Sequence, residues 1–221
     1  MRYIIILSGG MDSATLLYDS VRCRGVHARA LSVNYGQRHV KELVYAVALT
    51  KRLGVEHRVV DLSALRSLMG GSSQTDAAVE VPEGHYAEES MKLTVVPNRN
   101  MILLAVAGAW AIATRSDAVA YAAHAGDHAI YPDCREEFVE ALSRAFGLAD
   151  WHRVTIVRPY ITMMKADIVR RGLEVGVPYE LTWSCYKGGA RHCGRCGTCV
   201  ERREAFALAG AVDPAPYEGE A

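Results

Sequence analysis

Nowhere in the 221 residues does an uninterrupted apolar run reach the roughly 18 residues that a membrane-spanning helix needs, so no membrane partner is expected. Charge of one sign is also missing. Lys and Arg together number 25 and Asp and Glu number 25, which leaves no whole-molecule attraction for nucleic acid. Gly (19) and Pro (7) are too sparse for a collagen-like or low-complexity chain, and a 50% apolar composition excludes disorder. The opening Met1-Arg2-Tyr3-Ile4-Ile5-Ile6-Leu7 is too short an apolar stretch for a signal peptide and reads as a buried first strand. Without a secretory signal, the six cysteines are expected in a reducing, cytoplasmic setting, where clustered thiols mean metal binding or catalysis rather than disulfides.

What the chain does contain is an alternation of strand-length apolar runs with helical periodicity. Strands are expected at Tyr3 to Leu7, Ala28 to Val33, His57 to Leu62, Ala118 to Ala123 and Val154 to Arg158. Helices are expected at Ser13 to Val21, at Val40 to Leu53 by its Leu43, Val44, Val47, Ala48 stripe, and at Met101 to Ala113, which is so apolar that full burial is expected. Glu136 to Phe146, Lys165 to Val175 and Cys199 to Ala209 complete the helical set. Alternation of this kind gives an α/β fold with a parallel sheet covered by helices on both faces. Two stretches break it. Met69 to Thr94 is polar and aperiodic, longer than an ordinary connection, and so a candidate lid or binding loop. Trp183 to Cys199 is dominated by Gly and Cys. A first domain over 1–182 and a small C-terminal module over 183–221 are therefore expected.

The sharpest local signal follows the first strand: Ser8-Gly9-Gly10-Met11-Asp12-Ser13, then a helix. Two glycines let the backbone turn tightly and approach a ligand. The helix aims unpaired N–H groups and a positive dipole end at an anion. Ser8 and Ser13 add hydroxyls, and Asp12 suits a Mg²⁺ that shields phosphate charge. The loop is not a Walker A sequence, because the GKS or GKT ending is absent. It resembles instead the pyrophosphate loop, SGGxDS, of the N-type ATP pyrophosphatases. That resemblance implies an adenine-nucleotide alpha-hydrolase-like fold and cleavage of ATP between its α and β phosphates. It carries over ATP contacts to Leu7, Ser8, Gly9, Gly10, Met11, Asp12, Ser13, Ala14, Thr15, Leu16 and Leu17.

Four of the six cysteines, Cys185, Cys193, Cys196 and Cys199, fall within fifteen residues as overlapping CxxC steps with glycines at the turns. Four thiolates match one closed, structural Zn²⁺ site per chain. The competing reading is a Cys193–Cys196 redox pair with two bystanders, and His192 is an alternative ligand. Cys23 and Cys134 read as ordinary thiols.

Further stretches narrow the resemblance: Asn34-Tyr35-Gly36-Gln37-Arg38-His39, Val96-Pro97-Asn98-Arg99-Asn100, His124-Ala125-Gly126-Asp127, Tyr131-Pro132-Asp133-Cys134-Arg135, Leu181 to Gly188, and His192 to Phe206. Together they resemble the 7-cyano-7-deazaguanine synthase family of the queuosine pathway from Tyr3 to about Phe206. Ala122 to Gly126 departs somewhat from that family's pattern. The resemblance implies an ATP-dependent ligase. It would convert 7-carboxy-7-deazaguanine and ammonia into the nitrile through an adenylated carboxylate and an amide, with ATP and Mg²⁺. Lys165, at a helix start, matches the family's lysine and is assigned to charge developing on the phosphates.

The polar and aromatic candidates for substrate contact are Tyr35, Gln37, Arg38, Arg99, Asn100, Asp127, Tyr131, Asp133, Arg135 and Lys187. Asp127 or Asp133 suits the guanidine-like edge, Tyr131 suits stacking, and Arg99 or Lys187 suits the carboxylate. The main rival is a tRNA-thiolating relative that uses a cysteine persulfide. The locally basic set Lys187, Arg191, Arg195, Arg202 and Arg203 speaks for it, whereas the neutral whole speaks against a nucleic-acid partner. A second rival is a zinc-ribbon binding module with a relic ATP loop. An apolar face on the last helix (Phe206, Leu208, Ala209) suggests a homodimer.

Overall fold

The computed structural model describes residues 1–86 and 89–219. Five strands, β1 (Arg2–Ile6), β2 (His27–Asn34), β3 (Glu56–Asp61), β4 (Ala118–Ala120) and β5 (Thr155–Val157), pair in parallel in the order β3-β2-β1-β4-β5. The first strand therefore lies at the centre. Its successive side chains point to opposite faces, as the pleat requires. Ile4 joins one buried cluster with α3 (Arg99–Ala113) and α4 (Glu136–Ala149). Ile5 joins the other, with α1 (Met11–Arg22), α2 (Glu42–Leu53), α5 (Lys165–Glu174) and α6 (Gly197–Leu208). Consecutive isoleucines of one strand thus feed two cores, one on each side of the sheet.

The expected elements are all present, but three packing details differ. Helix α2 buries Glu42, Ala46, Leu49 and Thr50, while Val44 and Val47 of the expected stripe face outward. The helix is apolar on two sides, so the stripe could not indicate which side meets the sheet. Helix α3 is not buried all round. Leu104, Ala107, Gly108 and Ala111 face the core, whereas Ala105, Ala109 and Ala113 are exposed. Phe206 packs edge-to-face on Tyr179 inside its own chain, 5.1 Å between ring centres, so the expected dimer loses the aromatic that suggested it. Among the described residues no helix is long and apolar enough to cross a membrane.

The segment from Met69 to Thr94 is partly a plug rather than a free loop. Ser72, Ser73, Gln74 and Thr75 are buried, and Gln74 donates from Nε2 to the Thr94 carbonyl at 2.7 Å. Met91 lies beneath the start of α6, where a Cβ on Gly197 would sit 2.4 Å from its sulfur. The C-terminal tail is tied back by Arg202, which is 0% exposed. Its guanidinium grips both oxygens of Asp213 and donates to Thr182 Oγ1 and the Tyr179 carbonyl.

The turn after β1 is held from two sides. Gly9 has φ +93°, and a Cβ there would lie 2.2 Å from the Glu42 carbonyl oxygen. The Trp183 N–H donates to the Gly9 carbonyl at 2.9 Å. Gly10 is different, with φ −76° and no backbone obstruction of that kind. Gly9→Ala is therefore expected to lower stability by about 2 kcal/mol or more through backbone strain and collision with α2. Gly10→Ala should stay within about 1 kcal/mol of the parent. Urea denaturation of the two variants checks the difference.

Candidate active site

The carboxyl ends of β1, β2 and β4 open into one cavity, the edge where parallel α/β sheets bind ligands. Its floor is the turn after β1. Helix α1 begins with Gly10 as an extended cap that offers no side chain, so the N–H groups of its first turn have no intrahelical partner. Around them the Ser8 and Ser13 hydroxyls lie 3.0 Å apart, and Ser8 Oγ accepts from the Gly10 N–H. This is a positively polarised cradle sized for phosphate oxygens.

Beside the cradle sits a buried ion cluster. Lys165, the first residue of α5, places Nζ 2.8 Å from Asp12 Oδ2 and 2.9 Å from Glu201 Oε2. Burial pushes the Asp12 carboxyl up, but the Lys165 ammonium outweighs it and holds Asp12 below its ordinary value. Burial likewise disfavours the charged lysine, yet Asp12, Glu201 and Asp127 leave it well above the usual range. Lys165 stays an ammonium. Asp12 Oδ1 is buried and has no hydrogen-bond partner among the described residues. A carboxylate with one oxygen on a lysine and the other unsatisfied suits a hard cation such as Mg²⁺.

His124 Nε2 lies 3.3 Å from Lys165 Nζ and 3.5 Å from Asp127 Oδ1. His124 Nδ1 accepts the Gly126 N–H at 3.1 Å, which turns Nε2 toward Asp127 and the lysine. Tyr86 donates to Asp127 at 3.2 Å, and its ring lies 6.0 Å below the lysine ammonium.

The other end of the cavity is aromatic. Tyr35, Tyr86, Tyr121, Tyr131 and Tyr186 line it, with Arg99 and Asn100 at the start of α3. Arg99 lies 5.9 Å from the Tyr131 ring centre and reaches Gln74 Oε1 only at 3.4 Å. Burial works against its charge, but Tyr35, Tyr186 and Asp133 keep it a cation. Its guanidinium is thus framed by rings rather than neutralised by a direct carboxylate bond, as a receptor for an incoming anion should be. Glu42 shares this end. Burial lifts its carboxyl to about 8, with the Gln37 amide and Arg99 pulling the other way. Burial also drives His39 down to about 3, aided by Arg99 and Arg38.

Behind the cavity the sulfurs of Cys185, Cys193, Cys196 and Cys199 all lie within 4.8 Å of one another. Cys193 and Cys199 sulfurs are 3.9 Å apart, and Cys196 and Cys185 sulfurs 4.0 Å. An ion with metal–sulfur bonds of about 2.3 Å in a tetrahedron sets sulfurs about 3.8 Å apart, so the spacing suits a single small ion. Backbone N–H groups of Arg195 and Cys196 point at the Cys193 sulfur, the usual support for thiolate ligands. His192 is engaged elsewhere: Nε2 accepts the Ser184 N–H, and its ring stacks 4.3 Å from Trp183.

Of the residues singled out in the sequence, Leu7, Ser8, Gly10, Met11, Asp12, Ser13, Tyr35, Arg99, Asn100, Asp127, Tyr131 and Lys165 line the cavity. The structure places the rest differently. Ala14, Thr15, Leu16 and Leu17 are buried in the body of α1 against the core, with Thr15 hydroxyl bonded to Tyr179. Gln37 braces Glu42 at 3.0 Å, and Arg38 donates to the carbonyls of Ser73, Asp76 and Val79, pinning the 72–79 turn. Asp133 accepts the Asn100 N–H at the start of α3. Arg135 bonds the His128 carbonyl, and Lys187 pairs outside with Glu83. His39, Glu42, Tyr86, Tyr121, Tyr186 and Glu201 enter the site without having been singled out. For Glu201 a signal existed: an acid two residues past the last cysteine, directly before Arg202 and Arg203.

Comparison with known proteins was decisive. The family model described as queuosine biosynthesis protein QueC matches residues 2–210. A 7-cyano-7-deazaguanine synthase of Allorhizobium ampelinum is 52% identical over 220 residues, covering 99% of this chain and 93% of that protein. One from Methanoregula boonei is 53% identical over 218 residues, covering 99% of this chain and 100% of that protein. Two solved structures share the fold at low identity. The U34-tRNA thiolase NcsA of Methanococcus maripaludis, with its [4Fe-4S] cluster, has a TM-score of 0.51 at 14% identity, over 95% of this chain and 70% of that one. NMN synthetase of Francisella tularensis has a TM-score of 0.52 at 16% identity, over 95% and 77%. The end-to-end match at about half identity settles the kinship: the chain belongs to the QueC family of queuosine biosynthesis, whose similar relatives are 7-cyano-7-deazaguanine synthases.

Proposed function

We propose that the chain converts 7-carboxy-7-deazaguanine and ammonia into 7-cyano-7-deazaguanine at the expense of ATP, activating first a carboxylate and then an amide oxygen. The observation that carries the reading is the meeting of the α1 cradle and the Asp12–Lys165 pair with the Arg99-centred aromatic chamber in one cavity. A carboxylate resists ammonia because its carbonyl is unreactive and its leaving group poor. Adenylation supplies the leaving group, and expelling a second activated oxygen from the amide leaves the nitrile.

Each part of the cavity has work in that sequence. The free N–H groups of α1 and the Ser8 and Ser13 hydroxyls hold the departing pyrophosphate. Lys165 meets the negative charge that develops as the α–β bond breaks. Asp12 would hold Mg²⁺ through its free oxygen, and the bound ion offsets phosphate charge. Arg99 takes the substrate carboxylate while Tyr131 and Tyr86 flank the flat ring. The tRNA-thiolating alternative loses much of its support from basic residues. Arg202 is buried, and Lys187 and Arg195 both pair with Glu83. The proposal keeps residues 1–182 as the nucleotide domain and 183–221 as a module built on one structural Zn²⁺.

Three outcomes test this. Incubation with 7-carboxy-7-deazaguanine, ATP and isotopically labelled ammonia should give labelled amide and then labelled nitrile by mass spectrometry; neither species appearing would refute the substrate. Asp12→Asn should fold normally yet turn over at least about a hundredfold more slowly, since the cation loses a charged ligand. Retention of near-parental rates would remove Asp12 from the site. Elemental analysis of untreated protein should find close to one zinc per chain and no stoichiometric iron. Cys196→Ala should lose that zinc and melt at a markedly lower temperature, whereas Cys23→Ala should change neither.

A further inference from the structure

The ion cluster contains a carboxylate that the proposed reaction has not used. Glu201 is 9% exposed and reaches Lys165 from α6, a helix that starts immediately after Cys196 and carries Cys199 in its first turn. The next residue, Arg202, locks the same helix to Asp213 and Thr182. Glu201 is thereby fixed on both sides, by a thiol cluster before it and a buried guanidinium after it. A buried carboxylate on a helix anchored in this way makes a better guide for a flexible lysine than an exposed partner would.

The lysine needs such a guide. Two carboxylates flank the ammonium, at 2.8 and 2.9 Å, and the His124 nitrogen 3.3 Å away carries no negative charge. Asp12 also belongs to the phosphate cradle, where its second oxygen is unpartnered. When Asp12 turns to a cation or to the nucleotide, Glu201 is the anion that still faces the ammonium. Leaving a buried ammonium without one is costly, and a long lysine side chain would otherwise wander.

We propose that Glu201 is a positioning residue for the ATP reaction: its carboxylate, delivered by the helix that the cysteine cluster starts, holds the Lys165 ammonium at the phosphate turn. Metal in the cluster then sets the geometry of the nucleotide site as well as the local fold. The inference rests on the cavity being an ATP site, but not on the identity of the second substrate.

The test is a double-mutant cycle read by calorimetric binding of Mg·ATP to the full-length, zinc-loaded protein. Glu201→Gln is expected to weaken binding about tenfold while Lys165 is present, and to change it by less than about twofold in the Lys165→Met background. Zinc content should remain at one per chain in every variant. Glu201→Asp, which keeps the charge and shortens the reach, should give an intermediate shift and serves if the Gln variant folds poorly. Equal shifts in both Lys165 backgrounds would show that Glu201 acts on the nucleotide or the fold directly, and would overturn the proposal, as would no shift at all. A parent protein that binds ATP but makes no nitrile would remove the substrate reading and leave this one standing. A parent that binds no ATP would remove both.

Discussion

An ammonium buried between two carboxylates tolerates little displacement, and much of this molecule is arranged around one. Lys165 starts α5, Asp12 starts α1 and Glu201 rides on α6, so the cluster exists only when three helices meet on one side of the sheet. Small residues permit the approach of the first two. A Cβ on Gly172 of α5 would fall 2.9 Å from the Thr15 hydroxyl of α1, and closer still to Tyr179. The geometry of the charges and the packing of the helices are the same constraint seen at two scales.

The cysteine-rich segment is correspondingly more than an appendage. It supports the phosphate turn through the Trp183 N–H bond to Gly9 and contributes Trp183, Ser184, Tyr186 and Thr198 to the cavity wall. The 69–94 segment is stitched to it as well. Glu83 bridges to Cys196 in a short antiparallel pairing and takes Lys187 and Arg195 as ionic partners. Of the basic residues that look in the sequence like a nucleic-acid footprint, Arg202 is buried and Lys187 and Arg195 pair with Glu83 at the surface.

Much of this was legible from the chain alone, because its strongest signals are local. Ser8 to Ser13 follows a β-branched strand and precedes a helix, and each of its residue types has a local reason to be there. The cysteine spacing is likewise a short-range pattern. The parallel sheet followed from periodicity, since strands buried on both faces must be apolar throughout. What escaped depends on distant partners. Glu42 reads as an ordinary first-turn acid until Gln37 and His39 close over it. Tyr86 sits in an aperiodic stretch and gains meaning only beside Asp127. Arg202 reads as one of several surface arginines, yet Asp213 makes it the most deeply buried cation of its helix. The body of α1 is a different case: adjacency to the turn after β1 suggested contact for Ala14 to Leu17, and the structure buries all four in the core around the helix.

The position of β1 has a consequence for how the chain comes into being. It precedes the other four strands in the chain, yet it lies at the centre of the sheet and pairs with β2 on one side and with the much later β4 on the other. The turn after β1 emerges from the ribosome with that strand, while Glu201 and the Asp213 that clamps its helix emerge long after it. Such a topology is rich in contacts between residues far apart in sequence, which slows folding. A nascent chain therefore carries the Ser8 to Ser13 turn long before the residues that complete its cavity and ion cluster exist.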